Sequence, residues 1–296
     1  MHPRPWHRSR LSWWRPIAAC ALVAAGCAAG CGSASHASNR SAAGSPHAVR
    51  VDGYSVTVKC TGAARGTSPT VVLLAGLTEP LTTFTFIQDR LSGVTRVCSY
   101  DRPGEGSSPE PKAQQTLAGS ARLLHDLLST LRVGSHGIIL VGHSLGGTIA
   151  AQYASQYRRT QQVKALVLLD ATPVGFAGEV RKLIPPQATG ASGEMRTVNL
   201  AIASGSNPER LLLGEAPMPA IGNVPLTVVR HGRPIFDGVG RYAKRLETIW
   251  AEGQQRWLRL STRSAMVIAR GSGHAIYLDE PSLTLRLIRQ AISTAS

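Results

Sequence analysis

With 296 residues, the chain is long enough to bury a large core, and chains of this length often form one domain with short additions. Lys and Arg number 32 against 17 Asp and Glu, which gives a net charge of +15. The basic residues are scattered among acidic ones rather than gathered in a helix-length run with interleaved aromatic residues, so the sequence argues against nucleic-acid binding.

The first 37 residues have the order of a secretory signal. An arginine-rich start is followed by an apolar stretch over residues 17–30 and then by small and polar residues. At fourteen residues, this stretch is shorter than the roughly 20 apolar residues that a transmembrane helix needs. The segment is therefore predicted to direct export.

Two kinds of export signal fit this segment. Cys27 and Cys31 each follow Ala-Ala-Gly, which is similar to bacterial lipoproteins, where the cysteine becomes a lipidated first residue that anchors the protein to a membrane. That motif usually has Leu, Val or Ile three residues before the cysteine, where this chain has alanine, so ordinary cleavage after Ala37 is the alternative. Both predict a protein that is secreted or lipid-anchored in the cell envelope, with a flexible tether over 38–47 and a folded domain over 48–296.

From residue 48 onward, short β-rich runs alternate with longer helical patterns, which is typical of a mostly parallel sheet covered by helices. Eight strands are predicted, and their sequences are AVRV, YSVTVKC, TVVLLAG, TRVCSYD, GIILV, KALVLLD, VPLTVVR and SAMVIAR. Residues 171–224 interrupt this rhythm, and an insertion of this size favours an active-site lid or a disordered segment. Its apolar residues either line a substrate site or pack the insertion on the domain, and they are Leu211, Leu212, Leu213, Met218 and Ile221.

The stretch VGHSLGGTIA, residues 141–150, places Ser144 between glycines where a predicted strand meets a helix. The pattern G-x-S-x-G alone arises by chance about 0.2 times in a chain of this length. The context adds weight, because a nucleophile on a sharp strand-to-helix turn needs small neighbours, which Gly142, Gly146 and Gly147 supply. The amino end of the helix also favours developing negative charge. Ser144 is therefore the candidate nucleophile.

A serine nucleophile needs a base to take its proton, and His274 is the candidate. It lies in ARGSGHAIYLDEP, after the last predicted strand, on a loop of small residues that can bring its ring over the sheet. The chain order, with serine first and histidine last, also fits. His143 is adjacent to the serine, but a neighbour on such a turn points its side chain away, so we expect it to pack or to form hydrogen bonds.

Five segments together resemble serine hydrolases of the α/β-hydrolase fold superfamily. They are VVLLAG, YDRPGEGSS, GHSLGG, LVLLDATP and GSGHAIYLDEP, and the resemblance covers residues 50–294. It implies a mostly parallel eight-stranded sheet flanked by helices, with a small lid insertion. It also places the strands of Cys60 and Cys98 side by side, which implies a disulfide between them. Neither cysteine has neighbours at metal-ligand spacing, so no metal site is predicted.

The resemblance leaves two positions open for the acid that orients the histidine. In many relatives the acid follows the seventh strand shortly after a glycine, and here the nearest acid is Asp237, five residues beyond Gly232. In a subset the acid ends the sixth strand, where this chain has Asp170. We favour Asp170 because a strand end holds a carboxylate more rigidly than a long loop. The alternative is that Asp170 only caps the turn after its strand.

The sequence thus predicts an exported serine hydrolase that cleaves carboxylic esters through an acyl-enzyme, with Ser144, His274 and Asp170 as its triad. The resemblance assigns the oxyanion hole to the backbone N–H groups of Leu77 and Leu145. No metal or organic cofactor is predicted, and the expected partner is a small-molecule ester or a lipid-like substrate. The alternatives are an amidase or peptidase with the same triad, and a non-catalytic binding protein of the same fold.

Overall fold

The computed structural model describes residues 44–63, 65–157 and 163–295. The predicted export signal over 1–37, with Cys27 and Cys31, lies outside these residues, as does most of the predicted tether. Within the described ranges, no helix combines the length and the apolar character needed to cross a membrane.

An eight-stranded sheet forms the centre of the domain, as the alternation of strands and helices predicts. The strands of the chain are β1 (His47–Val51), β2 (Tyr54–Thr61), β3 (Thr70–Leu74), β4 (Val97–Tyr100), β5 (Gln115–Thr116), β6 (Ile138–His143), β7 (Val163–Leu169), β8 (Leu211–Leu212), β9 (Leu226–His231) and β10 (Ser264–Ala269). The order across the sheet is β1-β2-β4-β3-β6-β7-β9-β10. β2 pairs antiparallel with β1 and with β4, and the other pairs are parallel.

Helices cover both faces of this sheet. The helices of the described residues are α1 (Thr85–Leu91), α2 (Leu117–Thr130), α3 (Ser144–Tyr157), α4 (Phe176–Leu183), α5 (Gly190–Ala203), α6 (Ala243–Leu258), α7 (Ile276–Asp279) and α8 (Pro281–Ala295). One face packs against α2, α3 and α6, and the other against α1, α7 and α8. β3 is apolar after Thr70, and both of its faces are buried: Val72 and Leu74 enter one core, and Val71 and Leu73 enter the other. A strand buried on both faces needs apolar residues at every position.

The predicted disulfide is present. Cys60 and Cys98 lie directly opposite each other in the antiparallel pair of β2 and β4, and their sulfur atoms are bonded. This bridge closes a loop of 38 residues, and such closure stabilises a fold mainly by restricting the unfolded chain. The hairpin that leads into β2 turns at Asp52 and Gly53, which both have positive φ, as a type I′ hairpin turn requires.

The insertion over residues 171–224 contains α4, α5 and the two-residue strand β8, which pairs with β5. Leu211 and Ile221 are fully buried in the same core as α2 and α3, and Leu213 and Met218 are partly buried against it. These apolar side chains therefore pack the insertion on the domain, which was one of the two expectations for them.

Candidate active site

Ser144 stands at a tight junction between a strand and a helix. β6 ends at His143 and α3 begins at Ser144, whose φ of 49° lies in the left-handed region. A Cβ atom on Gly142 would come within 2.5 Å of the carbonyl oxygen of Gly146, and one on Gly146 would come within 2.3 Å of the carbonyl oxygens at the end of β3. The turn can therefore form only because these two positions lack side chains.

His274 contacts Asp170. His274 lies in the loop between β10 and α7, and its Nδ1 is 2.7 Å from Oδ2 of Asp170, the residue that follows β7. Asp170 is fully buried and has a φ of 45°. Asp237 is exposed at the start of a short 3-10 helix. Of the two acids considered from the sequence, the structure brings Asp170 to the histidine.

The pKa values of this pair differ from those of exposed groups. Burial by itself raises the pKa of Asp170, but hydrogen bonds from His231 and His274 outweigh it and hold that pKa well below its usual range. Burial lowers the pKa of His274, the hydrogen bond to Asp170 raises it, and the charge of His143 lowers it again. The net result is a lowered pKa, so His274 is a neutral imidazole at pH 7 beside an ionised carboxylate.

His143 ties the loop of His274 to the serine turn. Its Nε2 is 3.0 Å from the backbone carbonyl oxygen of His274, and the two ring centroids are 4.6 Å apart. Its Nδ1 is 3.0 Å from Oε2 of Glu79. Burial favours neutral His143, but the carboxylate of Glu79 raises its pKa, and the same contact helps to lower the pKa of Glu79 to about 2 despite burial. This matches the expectation that His143 forms hydrogen bonds.

The loop after β3 carries Leu77 and is held by carboxylates on both sides of that residue. The backbone N–H of Gly76 donates to Glu79 at 2.6 Å, and that of Thr78 donates to Glu105 at 2.8 Å. The close approach of Gly146 to the end of β3 brings this loop against the start of α3, which contains Leu145. The two residues expected to form the oxyanion hole thus lie on neighbouring segments.

Thr172 touches the serine, and the sequence analysis did not single it out. Its Oγ1 is 3.2 Å from Oγ of Ser144, and its backbone N–H donates to the carbonyl oxygen of Ser144 at 3.1 Å. Thr148 donates to the carbonyl oxygen of Thr172 at 2.8 Å, which fixes the segment in place. Thr172 is the second residue of the insertion, so the insertion contacts Ser144 directly.

Residues 69–274 match the protein family described as the alpha/beta hydrolase fold. The chain belongs to this family. The expected fold is therefore confirmed both by the match and by the eight-stranded sheet.

Individual relatives share parts of the chain or its fold. An uncharacterized protein of Mycobacterium tuberculosis is 35% identical over 106 residues, which are 36% of this chain and only 30% of that protein. The structure of a bacterial membrane phospholipase A has a TM-score of 0.60 at 20% identity, covering 86% of this chain and 87% of that chain. An esterase from Thermogutta terrifontis has a TM-score of 0.58 at 19% identity, covering 85% and 99%. Likeness at this level of identity shows a shared fold.

Potential metal ligands do not gather anywhere in the ranges that the structure describes. No group of three or more His, Cys, Asp or Glu side chains there is arranged to hold a metal ion. The charged residues at this alpha/beta hydrolase site instead bind each other and backbone groups.

Arg102 is a buried charged residue outside the group around Asp170, and no motif in the sequence identified it. Its guanidinium donates to the carbonyl oxygens of Ala75 and Gly76, at 2.6 and 2.8 Å, and to both carboxylate oxygens of Glu209, at 2.9 and 2.8 Å. The side chains of Arg102 and Glu209 are only 2% and 3% exposed. This pair joins the loop that carries Leu77 to the insertion. Nearby, burial and the charge of Glu209 raise the pKa of Glu105 to about 8, although Arg102 lowers it.

Replacing Arg102 with methionine is expected to lower the free energy of unfolding by about 3–5 kcal/mol, because it leaves a buried carboxylate and two backbone carbonyls without their donor. Chemical denaturation of the purified variant measures this. Arg245→Met is the matched control, because Arg245 pairs with Glu252 at the surface, where such pairs contribute at most about 1 kcal/mol. Equal losses in the two variants would contradict the role of Arg102.

Proposed function

We propose that this chain is an exported serine hydrolase that cleaves carboxylic esters through an acyl-enzyme. Ser144 is the nucleophile, His274 is the general base, and Asp170 orients and stabilises His274. The observation that carries the proposal is the 2.7 Å hydrogen bond between His274 and the buried Asp170. The loop of His274 is also hydrogen-bonded to His143, the residue that precedes Ser144. It supports a triad because a serine nucleophile needs a neutral histidine held in one tautomer.

In the proposed mechanism, Oγ of Ser144 attacks the ester carbonyl while Nε2 of His274 takes the hydroxyl proton. The backbone N–H groups of Leu77 and Leu145 stabilise the oxyanion of the tetrahedral intermediate. When the intermediate collapses, the carbon–oxygen bond of the ester breaks and His274 returns the proton to the departing alcohol. Water, activated by the same histidine, then hydrolyses the acyl-enzyme and restores Ser144.

We further propose that residues 171–224 act as a lid over this site and that the amino-terminal segment exports the chain or anchors it by lipid. Contact between Thr172 and Ser144 supports the first proposal, because it joins the beginning of this segment to the nucleophile. The names of the phospholipase and esterase relatives fit ester hydrolysis, while their identity of 20% or less supports only the fold.

Hydrolysis of matched substrates tests the reaction class. The purified protein is assayed on p-nitrophenyl acetate, butyrate and octanoate and on the corresponding p-nitroanilides. We expect ester turnover with kcat/KM at least about 100-fold above that of each anilide, because an esterase site makes no interactions specific for an amine leaving group. Anilide turnover within about tenfold of the ester would favour an amidase or peptidase. Turnover of neither substrate class would favour a non-catalytic binding protein.

A further inference from the structure

The carboxylate of Asp170 is shared by two histidines. Its Oδ2 accepts hydrogen bonds from Nδ1 of His274 at 2.7 Å and from Nδ1 of His231 at 2.8 Å. Its Oδ1 accepts from the indole N–H of Trp250 at 3.0 Å and from the backbone N–H of His231 at 3.3 Å. A serine triad needs only one histidine bound to its acid, so His231 is a further residue on this carboxylate.

A second carboxylate holds the other side of His231. Its Nε2 is 3.0 Å from Oε2 of Glu247, whose other oxygen accepts the backbone N–H groups of Phe236, at 2.9 Å, and of Ile235. Carboxylates only accept hydrogen bonds, so an imidazole between two of them carries protons on both nitrogens. Burial lowers the pKa of His231, but the bonds to Asp170 and Glu247 raise it to about 9. His231 is therefore a buried cation at pH 7.

We propose that His231, held by Glu247, is a positioning residue that fixes the carboxylate of Asp170 and offsets its charge, so that His274 stays a neutral base. The proposal rests on the proposed function, in which Asp170 and His274 act on Ser144. The contacts from His231 and Trp250 to the two oxygens of Asp170 hold its carboxylate in the orientation in which one oxygen faces His274. His231 itself touches neither Ser144 nor the reacting atoms.

The sign of the electrostatic effect follows from the charges around His274. Asp170 and Glu79 favour its protonation, whereas His143 opposes it. The cation His231 shares Oδ2 of Asp170 with His274, so its charge opposes that protonation as well. His231 and His143 are themselves paired, with Glu247 and Glu79 respectively. Replacing His231 with asparagine keeps a donor near Asp170 but removes one of the two opposing cations. The pKa of His274 is therefore expected to rise by about one pH unit or more, because the rings of His231 and His274 bind the same oxygen of Asp170 and lie close together.

A titration of the histidine ring signals by NMR tests this without relying on activity. The full chain is labelled at histidine, and the signal of His274 is assigned by its loss in His274→Asn. We expect a raised pKa of His274 in His231→Asn. In Glu247→Gln we expect a smaller change in the opposite direction, because this variant removes the anion that balances the cation His231. Glu247 is half-buried, so its replacement is the milder change to the fold. His136→Asn and Glu252→Gln replace exposed residues and should leave the pKa unchanged. An unchanged pKa of His274 in the two test variants would overturn the proposal.

The pH dependence of kcat/KM on p-nitrophenyl butyrate gives a second measurement. Activity is lost as pH falls through the pKa of His274, so a raised pKa moves the acidic limb of the profile to higher pH. For His231→Asn we expect kcat/KM to be about tenfold lower on the acidic limb, where a rise of about one pH unit in the pKa lowers the neutral fraction of His274 about tenfold. We expect it to recover to within about threefold at pH 9, with KM changed less than about twofold. A uniform loss at every pH would mean that His231 is only structural. A wild-type chain without esterase activity would refute the proposed function, while the NMR titration would still decide the role of His231.

Discussion

Replacing Ser144 with alanine is expected to lower kcat for p-nitrophenyl butyrate by at least about 10⁴-fold, because the acyl-enzyme can no longer form. Ser144 is buried, but the change removes only one oxygen atom and leaves the glycines of the turn in place, so we expect little effect on the fold. Steady-state assays of the purified variant measure the loss.

The matched control is Ser129→Ala, which removes the same atom from an exposed serine at the end of α2. It should retain full activity. If Ser144→Ala retained more than about one hundredth of the wild-type kcat, the oxyanion hole and substrate binding alone could not account for the remainder, and another nucleophile would have to be sought.

Asparagine at position 170 is expected to lower kcat by about 10³- to 10⁴-fold. Oδ2 of Asp170 accepts from both His274 and His231, and an amide nitrogen at that place would meet two donors or force His274 into the other tautomer. The loss of charge would also remove the stabilisation of the imidazolium that forms when His274 takes a proton. Assays at pH 7 with thermal unfolding as a check on folding measure the effect.

Asp237→Asn is the comparison that decides between the two acids. Asp237 is exposed, so its replacement should change kcat by less than about twofold. A large loss in Asp237→Asn together with a small loss in Asp170→Asn would reverse the assignment of the acid.

The fold could be predicted because its signals are local. β3 and β6 are apolar at nearly every position, and the glycines around Ser144 reveal the turn that follows β6. The disulfide followed from the resemblance, because it sets which strands are neighbours, and the pairing of Cys60 with Cys98 is confirmed. Asp170 and His274 could be selected as candidates because each follows a predicted strand at the same edge of the sheet.

The residues that support these candidates could not be found in the same way. His231 lies 61 residues from Asp170, and Arg102 lies 107 residues from Glu209. In the sequence, Glu209 and Glu247 look like ordinary surface acids, since nothing in their neighbouring residues shows that a cation is brought to them. Their roles depend on how the insertion and α6 pack on the sheet. One signal was available: His231 ends the strand next to the one that precedes Asp170.

The most direct test of the account is covalent labelling by a fluorophosphonate, followed by digestion and mass spectrometry. A fluorophosphonate reacts with an activated serine, because an ordinary serine hydroxyl is a weak nucleophile. We expect one adduct per chain, on the peptide that contains Ser144, with loss of labelling in Ser144→Ala and slow labelling in His274→Asn. Labelling that persists in Ser144→Ala, or wild-type protein that takes up no label, would contradict it.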